Sequence, residues 1–317
     1  MNSMVPSASP ARLAEKLDTF FNLFQPTIRL AEDLINAKAN PQEVVLLLCA
    51  RLDALASCIS REGQSNRQAF IHLLIHYAGH SNLMESVSAG DLYYELGFHR
   101  WLAEGMLPKP GRITRFSHID DPIIHLLDRS GIPLTVEAAR SLLTRIMRVI
   151  ASNFRCRQGQ PLRKPMIGKP KAIVEKLVAD CGRSRDVDLR KNLPTAIQPL
   201  LDTKTVAGLL YENFRNNAVH GVKVQFDDAT FFRAKGPYWE PLHSDYYPPF
   251  MFIKFSGPFL LQLLRNCTKT LKQKMLATGK LPPDVHFHAF GFDSGADLKF
   301  LNSDLLPKPA SVRLQLK

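Results

Sequence analysis

Leu209-Leu210-Tyr211-Glu212-Asn213-Phe214-Arg215-Asn216-Asn217-Ala218-Val219-His220-Gly221 closes the most informative helix of the chain. Val206, Leu210, Phe214 and Ala218 recur every four residues, so the spacing predicts an amphipathic helix over about 203–220 with those side chains inward. At about 100° per residue, Glu212, Asn216 and His220 share a different arc, and Arg215 flanks Glu212 closely enough to lean into it. Gly221 suits the left-handed position that ends a helix. His220 then falls in the last turn, where the helix dipole favours the imidazolium and draws it toward titrating near neutrality.

Composition bounds what such a helix can belong to. At 317 residues, 45% apolar and 22% charged, the chain reads as soluble and globular, one elaborated domain or two small ones. Cys49, Cys58, Cys156, Cys181 and Cys267 are scattered without a Cys-x-x-Cys pair, which suits reduced thiols in a cytosol. Residues 1–10 read as a disordered lead without the basic and apolar regions of a signal peptide. The longest apolar run, Val44 to Ala50, is too short to span a bilayer. The expectation is a cytoplasmic protein that does not enter membranes.

The net charge of +12 points to polyanions, of which nucleic acid is the commonest. Arg145, Arg148, Arg155, Arg157, Arg163, Lys164, Lys169 and Lys171 form one tract with no acid among them. Lys254, Arg265, Lys269, Lys272, Lys274 and Lys280 form another. A solvated basic face and an anionic membrane surface are the alternative readings of such tracts. A groove that tracks phosphates is the preferred one, with Arg155, Arg157, Arg163, Lys164, Lys169, Lys171, Lys269 and Lys272 as RNA-binding candidates.

Arg215-Asn216-x-x-x-His220 resembles the Arg-polar-x-x-x-His signature of the HEPN superfamily, whose active members are mostly metal-independent RNases. Chance places roughly 0.03 such matches in a chain of this composition. The match also closes an apolar helix and is followed by glycine. The bland reading is a surface arginine and a capping histidine. The resemblance implies a catalytic set of Arg215, His220 and Asn216, with Glu212 supporting Arg215 or His220, and no cofactor. Arg215 would hold the scissile phosphate through its fork. His220 would supply acid or base chemistry, and Asn216 would orient the histidine or the phosphate. The implied activity is an endoribonuclease using 2′-hydroxyl attack, in a homodimer, with a toxin or defence role under an unidentified inhibitory or activating partner. A non-catalytic HEPN-like module that binds RNA or nucleotides is the second reading, and a helical DNA-binding regulator the third.

The fold class expected is mainly α: an HEPN-like helical bundle with helical insertions and a small β-sheet elaboration after the Arg-His helix. Residues 11–317 read as one elaborated domain: leading helices at 11–80, a helical insertion with a basic loop at about 81–192, the Arg-His helix, then a small sheet and closing helix at 222–317. Pro26 breaks the first helical run. Asn40, Pro41 and Glu43 form the clearest helix start, and a helix from about Ser65 to Gly79 follows. Helices are also expected near 91–106, 135–150, 171–179 and 195–201. The Pro- and Gly-rich stretch between Gly159 and Pro170 reads as an exposed loop. Val222 to Phe226, Thr230 to Phe232 and Phe250 to Phe255 read as strands, with a proline-punctuated loop from Pro237 to Pro249. Pro258 opens the last strong helix, and 285–292 and 312–316 read as edge strands.

His72, His76 and His80 stand at i, i+4 and i+8 on one expected helix. Its outer pair would lie about 12 Å apart, too far to close a tetrahedral metal site. They are read as a polar helix edge, and His118, Asp120, Asp121 and His125, like His286 and His288, as structural. No phosphate-binding loop, dinucleotide fingerprint, zincin or hydrolase motif occurs in the chain.

Overall fold

Asn40 accepts a hydrogen bond from the Gln42 amide through its side chain (2.9 Å), with Pro41 opening the helix behind it. Local signals of this kind are met throughout the computed structural model, which describes residues 10–60, 63–88, 90–92, 166–181, 197–216, 227–241 and 251–278. The elements in chain order are α1 (Pro10–Asn22), α2 (Gln25–Asn36), α3 (Pro41–Ser57), α4 (Asn66–Tyr77), α5 (Ser81–Met84), β1 (Val87–Ser88) and β2 (Met166–Gly168). They continue with α6 (Pro170–Cys181), α7 (Val206–Leu209), α8 (Asp228–Arg233), β3 (Pro237–Pro241), β4 (Met251–Phe255) and α9 (Gly257–Thr278). The described residues are therefore mainly helical, with small antiparallel strand pairs. They divide into two compact units, Met1–Gly79 with Leu260–Lys317, and His80–Phe259.

The first unit is helical. Pro26 stands in the first turn of α2, where its missing amide donor costs nothing, so the break falls just before it. Phe20, Phe21 and Phe24 meet edge to face at that break, with Phe20 5.0 Å from Phe21 and 5.6 Å from Phe24. A reciprocal capping box opens α4: the Ser65 hydroxyl accepts from the Gln68 amide, and the Gln68 side chain accepts from the Ser65 amide. Leu48, Leu52, Leu55, Phe70, Leu73 and Leu74 are fully buried where α3 meets α4. Gly79, at φ +77°, takes the left-handed position that stops the chain after α4. Beside it, Asn266 of α9 donates to the Ala78 carbonyl (2.9 Å).

In the second unit, the segment around β1 lies between β2 and the start of α7, the first turn of the helix that carries Arg215. Val87 pairs with Gly168 and also bridges to Thr205. The Ser88 amide donates to the Lys204 carbonyl (2.8 Å) and the Val206 amide to the Ser86 carbonyl (2.9 Å). β3 and β4 form a regular antiparallel pair from Pro237 opposite Phe255 to Pro241 opposite Met251.

Three sequence expectations are corrected here. Thr230 to Phe232 is helical, not a strand, because it lies in α8. The Thr230 hydroxyl donates to the Asp227 carboxylate (2.5 Å), closing a local turn that outweighs the β preference of Thr-Phe-Phe. Pro237–Pro241 is a strand, not a loop, and its two prolines occupy the ends of an edge strand, where a missing donor is tolerated. Met166–Gly168 is likewise a strand inside what reads as a basic loop. The remaining strand expectations at 222–226, 285–292 and 312–316, the helix at 135–150, the expected helix at 91–106 beyond residue 92, and the disordered lead apart from Pro10, which opens α1, lie outside the described residues.

Candidate functional site

Thr205 starts the arginine helix, its side chain accepting from the Gly208 amide (3.1 Å) while donating to the Asp202 carbonyl (2.9 Å). Gly208 is required here by a close approach. A Cβ at this position would stand 2.6 Å from the Asp202 carbonyl oxygen and 2.7 Å from that of Thr203. From Leu210 to Asn216 the helix is not α but π, a wider turn with i→i+5 hydrogen bonds. The α period used to read the sequence therefore holds only through Leu209. Leu210, Tyr211 and Phe214 are buried along it. Phe214 meets Phe255 of β4 edge-on at 4.8 Å, and Phe255 stacks on Phe259 at 6.3 Å, so an aromatic ladder fixes the inner face of this turn.

On the π turn, three half-buried side chains interlock beside the buried Tyr211. Arg215 donates from Nη1 to the Asn216 side-chain oxygen (3.1 Å), and Asn216 donates from Nδ2 to a Glu212 carboxylate oxygen (3.1 Å). The Arg215 guanidinium carbon lies 5.1 Å from the centre of the Tyr211 ring, within cation–π range. Glu212, Arg215 and Asn216 are each half-buried, with Nε of Arg215 itself out of contact with solvent. Three residues singled out in the sequence are thus brought together. Asn216 bridges the other two, accepting from Arg215 and donating to Glu212. His220 and Gly221 lie outside the described residues. Tyr211, which the sequence pattern did not single out, carried a usable signal in its i, i+4 spacing to Arg215.

Four of the eight basic candidates, Lys169, Lys171, Lys269 and Lys272, fall among the described residues. Arg155, Arg157, Arg163 and Lys164 lie outside the described residues. Lys169 pairs with Glu85, and Lys171 is exposed on α6, both in the second unit. Lys269 is exposed and Lys272 pairs with Asp18 (2.5 Å), both in the first unit. Tracts without an acid in sequence thus meet acids in space, which lowers the field they present. The His72 and His76 rings meet at a tilt, 4.3 Å apart, on α4, whereas His80 lies beyond the end of that helix and its ring is 5.6 Å from Phe259. The three-histidine stripe is therefore not one helical face. Among the described residues no group of three or more His, Cys, Asp or Glu is placed to hold a metal ion. His118, Asp120, Asp121, His125, His286 and His288 lie outside the described residues.

Asp91 is a buried carboxyl that the sequence pattern did not single out. The Ser88 hydroxyl donates to its Oδ2 (2.5 Å), and the Ile253 amide of β4 donates to the same oxygen (3.4 Å). Burial pushes its pKa above the ordinary carboxylate value, opposed by the Ser88 and Ile253 hydrogen bonds and by Lys204 and Lys254. The Ser-x-x-Asp spacing at 88–91, a variant of the capping pattern, is the signal that points to it. Its position ties β1 to β4 behind the arginine helix, a structural role.

No protein-family model, curated protein or solved structure matches this chain. Among the described residues no helix is long and apolar enough to cross a membrane.

Proposed function

We propose that the chain is a metal-independent endoribonuclease of HEPN type, with Arg215 as the phosphate-holding cation. The observation that carries the reading is the Tyr211–Glu212–Arg215–Asn216 cluster, a guanidinium oriented from two sides on a half-exposed π turn. An arginine ordered before its ligand arrives loses less entropy on binding a phosphate, and its planar fork matches two phosphate oxygens. The net charge of +12 supports an anionic substrate.

RNA brings its own nucleophile. In the proposed reaction the 2′-hydroxyl gives up its proton to a base and its oxygen attacks the adjacent phosphorus. The bond from phosphorus to the 5′-oxygen breaks, and that oxygen takes up a proton. The products are a 2′,3′-cyclic phosphate and a 5′-hydroxyl end. Arg215 stabilises the added negative charge of the pentacoordinate phosphorane. His220, five residues on, is the group proposed to move a proton. A homodimer with facing motifs, an RNA partner and a cytoplasmic toxin or defence role belong to the same proposal.

The test is incubation of the purified chain with mixed RNA in EDTA. Cyclic-phosphate fragments are expected, with all-deoxy oligonucleotides left intact. Arg215→Ala combined with His220→Ala should lower the rate by about 10³-fold or more, as losing a charge-stabilising group with a proton donor does. Undiminished cleavage by that double variant would end the proposal. Intact but retarded RNA would favour the non-catalytic binding module.

A further inference from the structure

We infer that Tyr211 is the positioning residue for Arg215, its ring face fixing the plane of the guanidinium that receives the scissile phosphate; this deepens, and rests on, the ribonuclease reading. Two adjacent i, i+4 pairs run along the π turn, Tyr211 with Arg215 and Glu212 with Asn216, and the Arg215–Asn216 hydrogen bond joins their far ends. The cation is therefore located from two independent directions. Asn216 fixes an edge of the fork, and Tyr211 fixes its face.

The two constraints are unequal in rigidity. Asn216 is half-buried and depends on Glu212, itself a mobile side-chain type with three rotors. Tyr211 is only 8% exposed, so its ring is packed in place and offers a stationary negative π-face. A long cationic side chain lying on such a face keeps its stem against apolar surface and directs its nitrogens along the plane of the ring. Bidentate phosphate binding needs that plane set, because the two N–H bonds must run parallel to reach two oxygens. An aliphatic residue of similar volume fills the same space and leaves the plane unset. Rate should therefore follow the π character of residue 211 and not its bulk.

The experiment compares the full chain with Tyr211→Phe, Tyr211→Trp, Tyr211→Met and Arg215→Ala on one defined RNA, reading kcat and KM alongside the thermal midpoint. Tyr211→Met is expected to lower kcat/KM about five- to thirty-fold, the range that a partly desolvated cation–π contact corresponds to. The aromatic variants should recover most of that loss. The Arg215 Nε–H resonance supplies a readout independent of turnover and of small stability changes. Ring-current shielding should shift it upfield in the parent and in Tyr211→Phe, and release it in Tyr211→Met. Parent activity in Tyr211→Met, or equal losses in Tyr211→Phe and Tyr211→Met, overturns the positioning role while Arg215-dependent cleavage stands. Absence of Arg215-dependent cleavage in the parent chain overturns the ribonuclease reading itself and this role with it.

Discussion

Among the described residues the two units bury different polar groups, Thr27 and Thr268 in the first, and Ser88, Asp91, Thr205 and Ser256 in the second, where one of the set is a carboxyl. In the first, α3 and α4 meet through hydrocarbon: Leu48, Leu52, Leu55, Phe70, Leu73 and Leu74 are fully buried. Its ion pairs, such as Arg265 with Glu32 at 2.6 Å, stand about half exposed at its surface. In the second, Ser88 and Asp91 at β1 and Thr205 at the start of the arginine helix are buried, and β4 is followed by buried Ser256. Each of these polar groups is hydrogen-bonded, Ser256 by donating to the Gly236 carbonyl and accepting from the Phe259 amide. An apolar interior is tolerant of small shifts, because dispersion and burial have little directionality. A polar interior admits few arrangements and fails when one member is lost. The unit carrying Arg215 is the one that buries a carboxyl, Asp91, among its described residues.

Substitutions in each unit sharpen or break that contrast. The largest effect is expected at Phe70, where truncation to Ala should destabilise the first unit by about 3–5 kcal/mol, read by chemical denaturation, with no dependence on pH between 5 and 8. Gly208→Ala should cost about 1–3 kcal/mol despite the better helix propensity of alanine. The propensity gain is about 1 kcal/mol at most, whereas the new Cβ meets two backbone oxygens inside van der Waals contact and something must move. A stabilised Gly208→Ala protein would show that the approach is softer than its distances imply.

Asp91 provides the pH test. Its folded pKa lies above the unfolded value of 3.8, so its contribution is fully present below that pH and is lost as pH rises through the folded value. Asp91→Asn keeps a carbonyl oxygen for Ser88 and Ile253 and removes the charge, so it should flatten this slope. Asp91→Ala should instead cost about 1–3 kcal/mol by stranding two buried donors. Amide hydrogen exchange at Ile253 and Phe255, followed from pH 4 to 7, reports both. An unchanged slope in Asp91→Asn would assign the pH response to other groups. The smallest effect is expected for Arg265 and Glu32: a double-mutant cycle should return a coupling below about 1 kcal/mol and shrinking with salt, because both side chains are half exposed.

Sequence alone determined the helical class, the starts of α3 and α9, the break at Pro26, the buried face through Val206, Leu210 and Phe214, and the strand at Met251–Phe255. These are local choices, made by capping groups, prolines and apolar spacing within a few residues of where they act. Only the tertiary structure decided that Leu210–Asn216 winds as a π turn, that Pro237–Pro241 is a strand opposite β4, and that Glu85 and Asp18 answer lysines distant in sequence. Periodicity assumes one helical pitch and charge counting assumes that neighbours in sequence are neighbours in space. Both assumptions fail where partners far along the chain set the geometry, as Phe255 does against Phe214 and Glu85 does for Lys169.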